Sequence, residues 1–267
     1  MNLPLFSPQN DPGPDFAALL RHSGLAPAVP APGDTAPFDV RHGTTIVAIR
    51  YADGVILAGD RRATAGHTIA HRAMDKVMPA DKWSGVAIAG AAGMAVEMVK
   101  LFQLQLEHYE KSEGQALSLE GKANQLAGMV RSHLSMAMQG FVVVPLFAGY
   151  DVRRQQGRIF TYDPTGGRYE ESDFHADGSG GRDARTTVKL GWREGLTATE
   201  AVELAIRALY EAADEDSATG GPDLVRGIYP IVATISAEGY VRLSDDEVEA
   251  SFRSLIERLG ETGRSSS

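Results

Sequence analysis

The run Thr44-Thr-Ile-Val-Ala-Ile-Arg-Tyr51, the turn Ala52-Asp-Gly54 and the return Val55-Ile-Leu-Ala-Gly-Asp60 decide the reading of this chain. The first stretch is rich in β-branched residues, the second is turn chemistry, and the third is apolar again. Together they predict a β-hairpin that begins at Thr44. C-terminal to it, Gly85-Val-Ala-Ile-Ala-Gly90 is a further apolar strand that runs into a helix. The helix places Ala95, Val99, Phe102, Leu106 and Tyr109 on one face and Glu97, Lys100, Glu107 and Glu110 on another, with Met94, Met98 and Leu101 widening the apolar side. A second helix is expected over about Leu119 to Gln139, followed by strands at Phe141-Val-Val-Val, Leu146-Phe-Ala-Gly-Tyr150 and Gly157-Arg-Ile-Phe-Thr-Tyr162. Helices near 180–193 and 198–213 come next, then strands Ile228 to Ser236 and Tyr240 to Leu243, and a last helix. Thr197-x-x-Glu200 and Ser244-x-x-Glu247 read as capping boxes that open two of these helices. Strands and helices that come in groups predict α+β layers and not a regularly alternating parallel sheet.

N-terminal to Thr44 the character is different. Eight of the thirteen prolines fall within residues 1–43, which hold no lysine and no sustained periodicity. Such a segment buries too little surface to order itself and is expected to be a disordered leader. Residues 44–267 then form one domain, with a flexible tail from about residue 260.

Composition removes several classes of function. The chain of 267 residues is 43% hydrophobic, enough for a large core, and has no cysteine, which excludes disulfides, thiolate metal sites and a Cys nucleophile. A net charge of -9 without a basic run argues against nucleic acid. No apolar stretch approaches the roughly 18 to 20 residues that span a bilayer, and the N-terminus lacks the basic and apolar regions of a signal peptide. A cytoplasmic protein is expected, with no membrane partner.

Thr44, Asp60 and Lys76 follow one another at intervals of sixteen residues, and Gly90 ends the next strand. With their surroundings, His42-Gly43-Thr44-Thr-Ile-Val-Ala, Val55-Ile-Leu-Ala-Gly-Asp60-Arg-Arg-Ala-Thr64, Asp75-Lys76-Val77, Ile88-Ala-Gly90 and Asp216-Ser-Ala-Thr-Gly220, they resemble proteasome β subunits in order and spacing. Leu106-Glu-His-Tyr-Glu-Lys111, Ala137-Met-Gln-Gly140 and Asp216 to Gly227 look like the actinobacterial branch. The resemblance implies a four-layer αββα sandwich of the N-terminal-nucleophile hydrolase type and a threonine endopeptidase, freed when the leader 1–43 is cut between Gly43 and Thr44. It also implies Ser179, Asp216 and Thr219 as supporting residues, and Ala63, Thr64, Met74, Met78, Ile88, Ala92 and Val96 as the pocket for the side chain preceding a cut. Partners implied are α subunits and other β subunits in a four-ring barrel of sevenfold rings, and a separate ATPase ring. Substrates would be unfolded polypeptides, in actinobacteria commonly marked by a pupylation tag. No cofactor or metal is expected.

The residue types suit that chemistry. A threonine hydroxyl is a weak nucleophile, and an N-terminal threonine carries its own base, an α-amine with a pKa of about 7.7 to 8. Lys76 beside it would act either as a cation or, neutral and buried, as proton acceptor. Asp60 would balance its charge, and Gly90 would offer a backbone N–H to an oxyanion. Competing readings are weaker. Gly178-Ser-Gly-Gly181 lacks the Gly-Lys-Ser/Thr of a phosphate loop, and Asp214-x-Asp216 lacks the later ligands of a calcium loop. A simpler relative of the HslV type lacks so long a leader. A ring subunit that has lost activity would tend to lose one of Thr44, Asp60 and Lys76.

Overall fold

Side chains along the first strand alternate between two faces, and both faces are covered. In the computed structural model, which describes residues 43–65 and 68–265 and side chains as far as residue 260, β1 (Thr45–Tyr51) and β2 (Gly54–Gly59) form the expected hairpin. Ile46, Ala48, Val55 and Leu57 enter an apolar layer with Val77, Ala87, Leu146 and Ile159. Val47, Ile49, Ile56 and Ala58 enter a second one with Ala184, Val188, Ala205 and Leu209. A strand buried on both faces reads as an unbroken apolar run, which is why this segment announces itself.

The hairpin lies inside a five-stranded sheet, completed by β10 (Phe174–Gly178) beside β1 and by β11 (Ile231–Ser236) and β12 (Gly239–Arg242) beyond β2. A second sheet stacks on it in the order β5 (Val77–Asp81), β6 (Ser84–Gly90), β7 (Val143–Asp151), β8 (Gln156–Tyr162) and β9 (Arg168–Glu171). A two-stranded ribbon, β3 (Ala63–Ala65) and β4 (Thr68–His71), joins them in sequence. Helices α1 (Ala92–Glu113) and α2 (Leu119–Ser132) cover the second sheet through Met98, Phe102 and Leu126 on Phe147 and Phe160. Helices α4 (Gly181–Gly191), α5 (Ala198–Glu215) and α6 (Asp245–Ser265) cover the first. The layers run αββα, as expected. Both capping boxes form: Glu200 bonds back to the Thr197 N–H at 2.8 Å, and Glu247 to the Ser244 N–H at 2.7 Å.

Several expectations need correction. The helix expected to reach Gln139 stops at Ser132, and only the short α3 (Leu134–Ala137) follows. Ser132 Oγ and His133 Nδ1 both bond to Met129 O, and the His133 N–H turns back to Val130 O, so local side-chain bonds close the last turn. The two strands expected around residues 141–150 are one, β7, running through Pro145. The Ile88 N–H opposite Pro145 points away to Lys76 O, and pairing with β8 begins only at Leu146, so the missing proline N–H deprives no ladder bond. β11 starts at Ile231, after Pro230, because Ile228 is taken up in a bridge with Asp223. Tyr109 and Leu101 of α1 are exposed, while Met98 is core and Met94 packs partly buried against it. Strands β3, β4, β5, β9 and β10 were not expected. The leader before Gly43 lies outside the described residues. Helix α6 is continuous to Ser265, so the expected tail lies outside them only beyond that point.

Candidate active site

The antiparallel pairing of β1 and β2 sets Ile46 opposite Gly59, which returns Asp60 to the start of β1. The Asp60 N–H donates to Thr45 O at 3.1 Å, and the Thr45 N–H donates to Asp60 Oδ1 at 2.9 Å. Lys76 arrives from the residue before β5, held as the second sheet begins by the Ile88 N–H on its carbonyl at 2.9 Å. Thr44, Asp60 and Lys76 are all buried. The first interval of sixteen residues is the length of a hairpin, and the second is the length of the excursion through the β3–β4 ribbon.

Lys76 Nζ donates to Asp60 Oδ1 at 2.7 Å, to Gly43 O at 3.3 Å and to Arg62 O. Three acceptors match the three N–H bonds of an ammonium, whereas a neutral amine has two. Burial lowers the Lys76 pKa from the usual lysine value, and the charge and hydrogen bond of Asp60 oppose that shift. Asp60 is fully buried and saturated: Oδ2 accepts from the N–H groups of Arg62 and Gly220, each at 2.8 Å.

On the other side of Thr44 stands a hydroxyl–carboxylate cluster. The Thr44 N–H donates to Ser179 Oγ at 3.2 Å, the Ser179 N–H donates to Thr44 O at 2.8 Å, and Ser179 Oγ also bonds to Asp216 Oδ2. Thr219 Oγ1 donates to the same carboxylate oxygen at 2.6 Å and lies 2.6 Å from Thr45 Oγ1. Burial pushes the Asp216 pKa up, but hydrogen bonds from Ser179, Thr219 and the Ala218 N–H outweigh it and hold the carboxyl below the usual aspartate range. Ser179 reaches Thr44 because Gly178, at φ +95°, crosses directly over it: a Cβ there would lie 1.9 Å from Thr44 O.

The carbonyl of Gly43 is the focus of the site. Thr44 Oγ1 donates to Gly43 O at 2.7 Å, on the oxygen that Lys76 also approaches. A Cβ on residue 43 would meet Ala218 Cβ at 1.9 Å, Ala218 O at 2.6 Å and Ala218 Cα at 2.7 Å, so only glycine fits. A small cleft opens beside this peptide, lined by Thr44, Lys76 and Gly90 with Ala63, Met74, Ile88 and Ala92. Strand alternation turns the Gly90 N–H to the same side of β6 as that of Ile88, the side of Lys76. Of the other expected pocket residues, Met78 and Val96 pack partly buried against the α1–sheet core, and Thr64 Oγ1 accepts from the Gly43 N–H at 3.0 Å.

Sequence reasoning missed the contributions of Thr45, Arg62, Ala218 and Gly220. Except for the Thr45 hydroxyl and the Ala218 methyl these are backbone groups, which no residue pattern reports. Among the described residues no group of three or more His, Asp or Glu side chains could hold a metal, and no helix is long and apolar enough to cross a membrane.

An αββα sandwich with a threonine at the head of a central strand defines an N-terminal-nucleophile hydrolase architecture. The sequence model of the proteasome subunit family matches residues 40–225. A proteasome subunit beta of Acidimicrobium ferrooxidans is 62% identical over 262 residues, covering 98% of this chain and 96% of the relative. Those of Streptomyces griseus and Jonesia denitrificans are 62% and 54% identical, over 81% and 88% of this chain and 77% and 78% of the relatives. The chain therefore belongs to the proteasome subunit family, as a β-type subunit of the 20S core particle, a threonine endopeptidase that assembles with α and β subunits.

Proposed function

We propose that the chain is made as a zymogen that cuts itself between Gly43 and Thr44, and that the freed Thr44 then cleaves unfolded polypeptides inside the particle. The observation that carries this reading is the Thr44 hydroxyl 2.7 Å from the carbonyl oxygen of the preceding residue, with the Lys76 ammonium on the same oxygen. Thr44 Oγ1 adds to the Gly43 carbonyl carbon, the C–N bond to Thr44 breaks, and the hydroxyl proton goes to the departing nitrogen. Water then hydrolyses the ester, leaving a carboxylate on Gly43 and a free amine and hydroxyl on Thr44. In this step Lys76 works as a cation, stabilising negative charge on the carbonyl oxygen.

Once free, the Thr44 amine titrates near neutrality and serves as the base for its own hydroxyl. Its existing bond to Ser179, with Asp216 and Thr219 behind it, holds that nitrogen in place. Asp60 keeps Lys76 charged and fixed, and the Gly90 N–H receives the oxyanion of a substrate. Ala63, Met74, Ile88 and Ala92 make an apolar wall for the side chain before the cut. In this reading the particle is cytoplasmic, its rings are sevenfold, and a separate ATPase ring feeds it unfolded, pupylated chains. Labelling the assembled particle with a peptidyl vinyl sulfone tests the nucleophile. An adduct mass on Thr44 with loss of peptide cleavage is expected; an adduct elsewhere, or undiminished cleavage by Thr44→Ala particles, would overturn the assignment.

A further inference from the structure

One bond at the junction is not used by the mechanism above. The Gly43 N–H donates to Thr64 Oγ1 at 3.0 Å in a buried contact. We propose that the Thr64 hydroxyl is a positioning residue for self-cleavage, fixing the rotation of the residue before the cut so that its carbonyl faces Thr44 Oγ1. The inference rests on the reading of Gly43–Thr44 as the bond that is cut.

The need for such a restraint follows from Gly43 itself. Ala218 excludes every side chain at this position, so the site must accept the residue with the widest backbone freedom. That freedom scatters the carbonyl over many orientations, few of them open to attack. The structure restrains the glycine at each of its groups. Ala218 abuts the Cα, Lys76 and Thr44 hold the carbonyl oxygen, and Thr64 holds the N–H. Without the Thr64 hydroxyl the Gly43 N–H would lose this hydrogen bond, and the glycine could turn about its backbone and swing its carbonyl away from Thr44 Oγ1.

Thr64 is built to reach inward. Ala63 and Thr64, consecutive in β3, face opposite sides, and both are buried while Ala65 is exposed. The register shift in the β3–β4 pairing puts its extra residue, Ala70, on β4 and leaves β3 regular at Ala63 and Thr64. Covered on both faces, β3 lines the cleft with Ala63 and reaches Gly43 with Thr64. A β-branched side chain with few χ1 options keeps the hydroxyl there. Gly43 leaves with the leader, so this bond belongs to the precursor alone.

The test compares Thr64→Val, which keeps the shape without the hydroxyl, with Thr64→Ser, which keeps the hydroxyl without the shape, and with Thr64→Ala. Each full-length chain is assembled with α subunits, assembly is checked by native mass, and leader loss is followed by intact mass over time. The Val and Ala variants should convert about tenfold more slowly or worse, as befits a lost buried hydrogen bond, and Ser within about threefold of wild type. Conversion of Thr64→Val at the wild-type rate, or of Thr64→Ser as slowly as Thr64→Ala, would overturn the proposal by showing that shape matters and the hydroxyl does not. Should Thr64→Val fail to assemble, the Ser–Ala comparison decides alone, and equal rates reject it. Thr44→Ala, run alongside, separates the two claims. If it is cut normally, the reading of the junction fails; if it stays uncut while Thr64→Val matures normally, only the role of Thr64 fails.

Discussion

Asp60→Asn should remove a large part of the chain's stability. Asp60 accepts four hydrogen bonds, from the Thr45 N–H at 2.9 Å and Lys76 at 2.7 Å on one oxygen and from the Arg62 and Gly220 N–H groups at 2.8 Å on the other. All four partners are donors. Asparagine has one acceptor oxygen, so its NH2 must face two donors whichever way the amide lies. Each buried group left unsatisfied costs about 1–3 kcal/mol, and leaving one charge of a buried pair uncompensated costs about 3–5 kcal/mol. Lys76 enters both figures, so a combined loss of about 4 kcal/mol or more is expected, against a typical total of about 5–15 kcal/mol. The assay is urea unfolding followed by the fluorescence of Trp83 and Trp192, in a Thr44→Ala background so that all chains compared keep their leader. Adding Lys76→Met should recover part of the loss, because it removes the stranded ammonium. A loss under about 1 kcal/mol, or a double variant whose losses simply add, would refute the coupling described here.

Two further predictions concern the junction and its cation. Gly43→Ala should arrest maturation, and Ala218→Gly should not rescue it, since Ala218 O and Cα would still lie 2.6 and 2.7 Å from the new methyl; intact mass of assembled chains reads both, and normal maturation of either variant contradicts the packing argument. Because burial lowers the Lys76 pKa, the cation is lost as pH rises through a value below that of an ordinary lysine. The kcat for a small peptide should therefore decline on the alkaline side earlier than an unperturbed lysine would allow. A plateau that persists to the ordinary lysine value would show that the charge is not required.

The elements legible in the sequence are those with a strong hydrophobic signature. β1, β2 and β6 are buried on both faces and read as unbroken apolar runs, and the capping boxes marked the starts of α5 and α6. The strands that escaped notice are all short, and β9 and β10 are also rich in polar residues, Arg168-Tyr-Glu-Glu171 and Phe174-His-Ala-Asp-Gly178 at the sheet edges. Their pairing comes from neighbours, not from local propensity. The proximity of Asp60 to Thr44 followed from the hairpin, but Lys76 and the Ser179–Asp216–Thr219 cluster could be placed only by resemblance to a family. The grip on Gly43 was hidden for a different reason. It depends on the hydroxyl of Thr64 in a three-residue strand and on the backbone and methyl of Ala218, and neither alters the residue pattern in a recognisable way.

The most direct test of the central claim is the intact mass and N-terminal sequence of the chain purified after assembly with α subunits, measured for wild type and for Thr44→Ala. The wild-type chain should begin at Thr44, and the Thr44→Ala chain should retain its full leader in assembled particles. A wild-type chain that still begins at Met1 in a particle active on peptides, or a Thr44→Ala chain cut after Gly43, would contradict self-processing by the threonine hydroxyl.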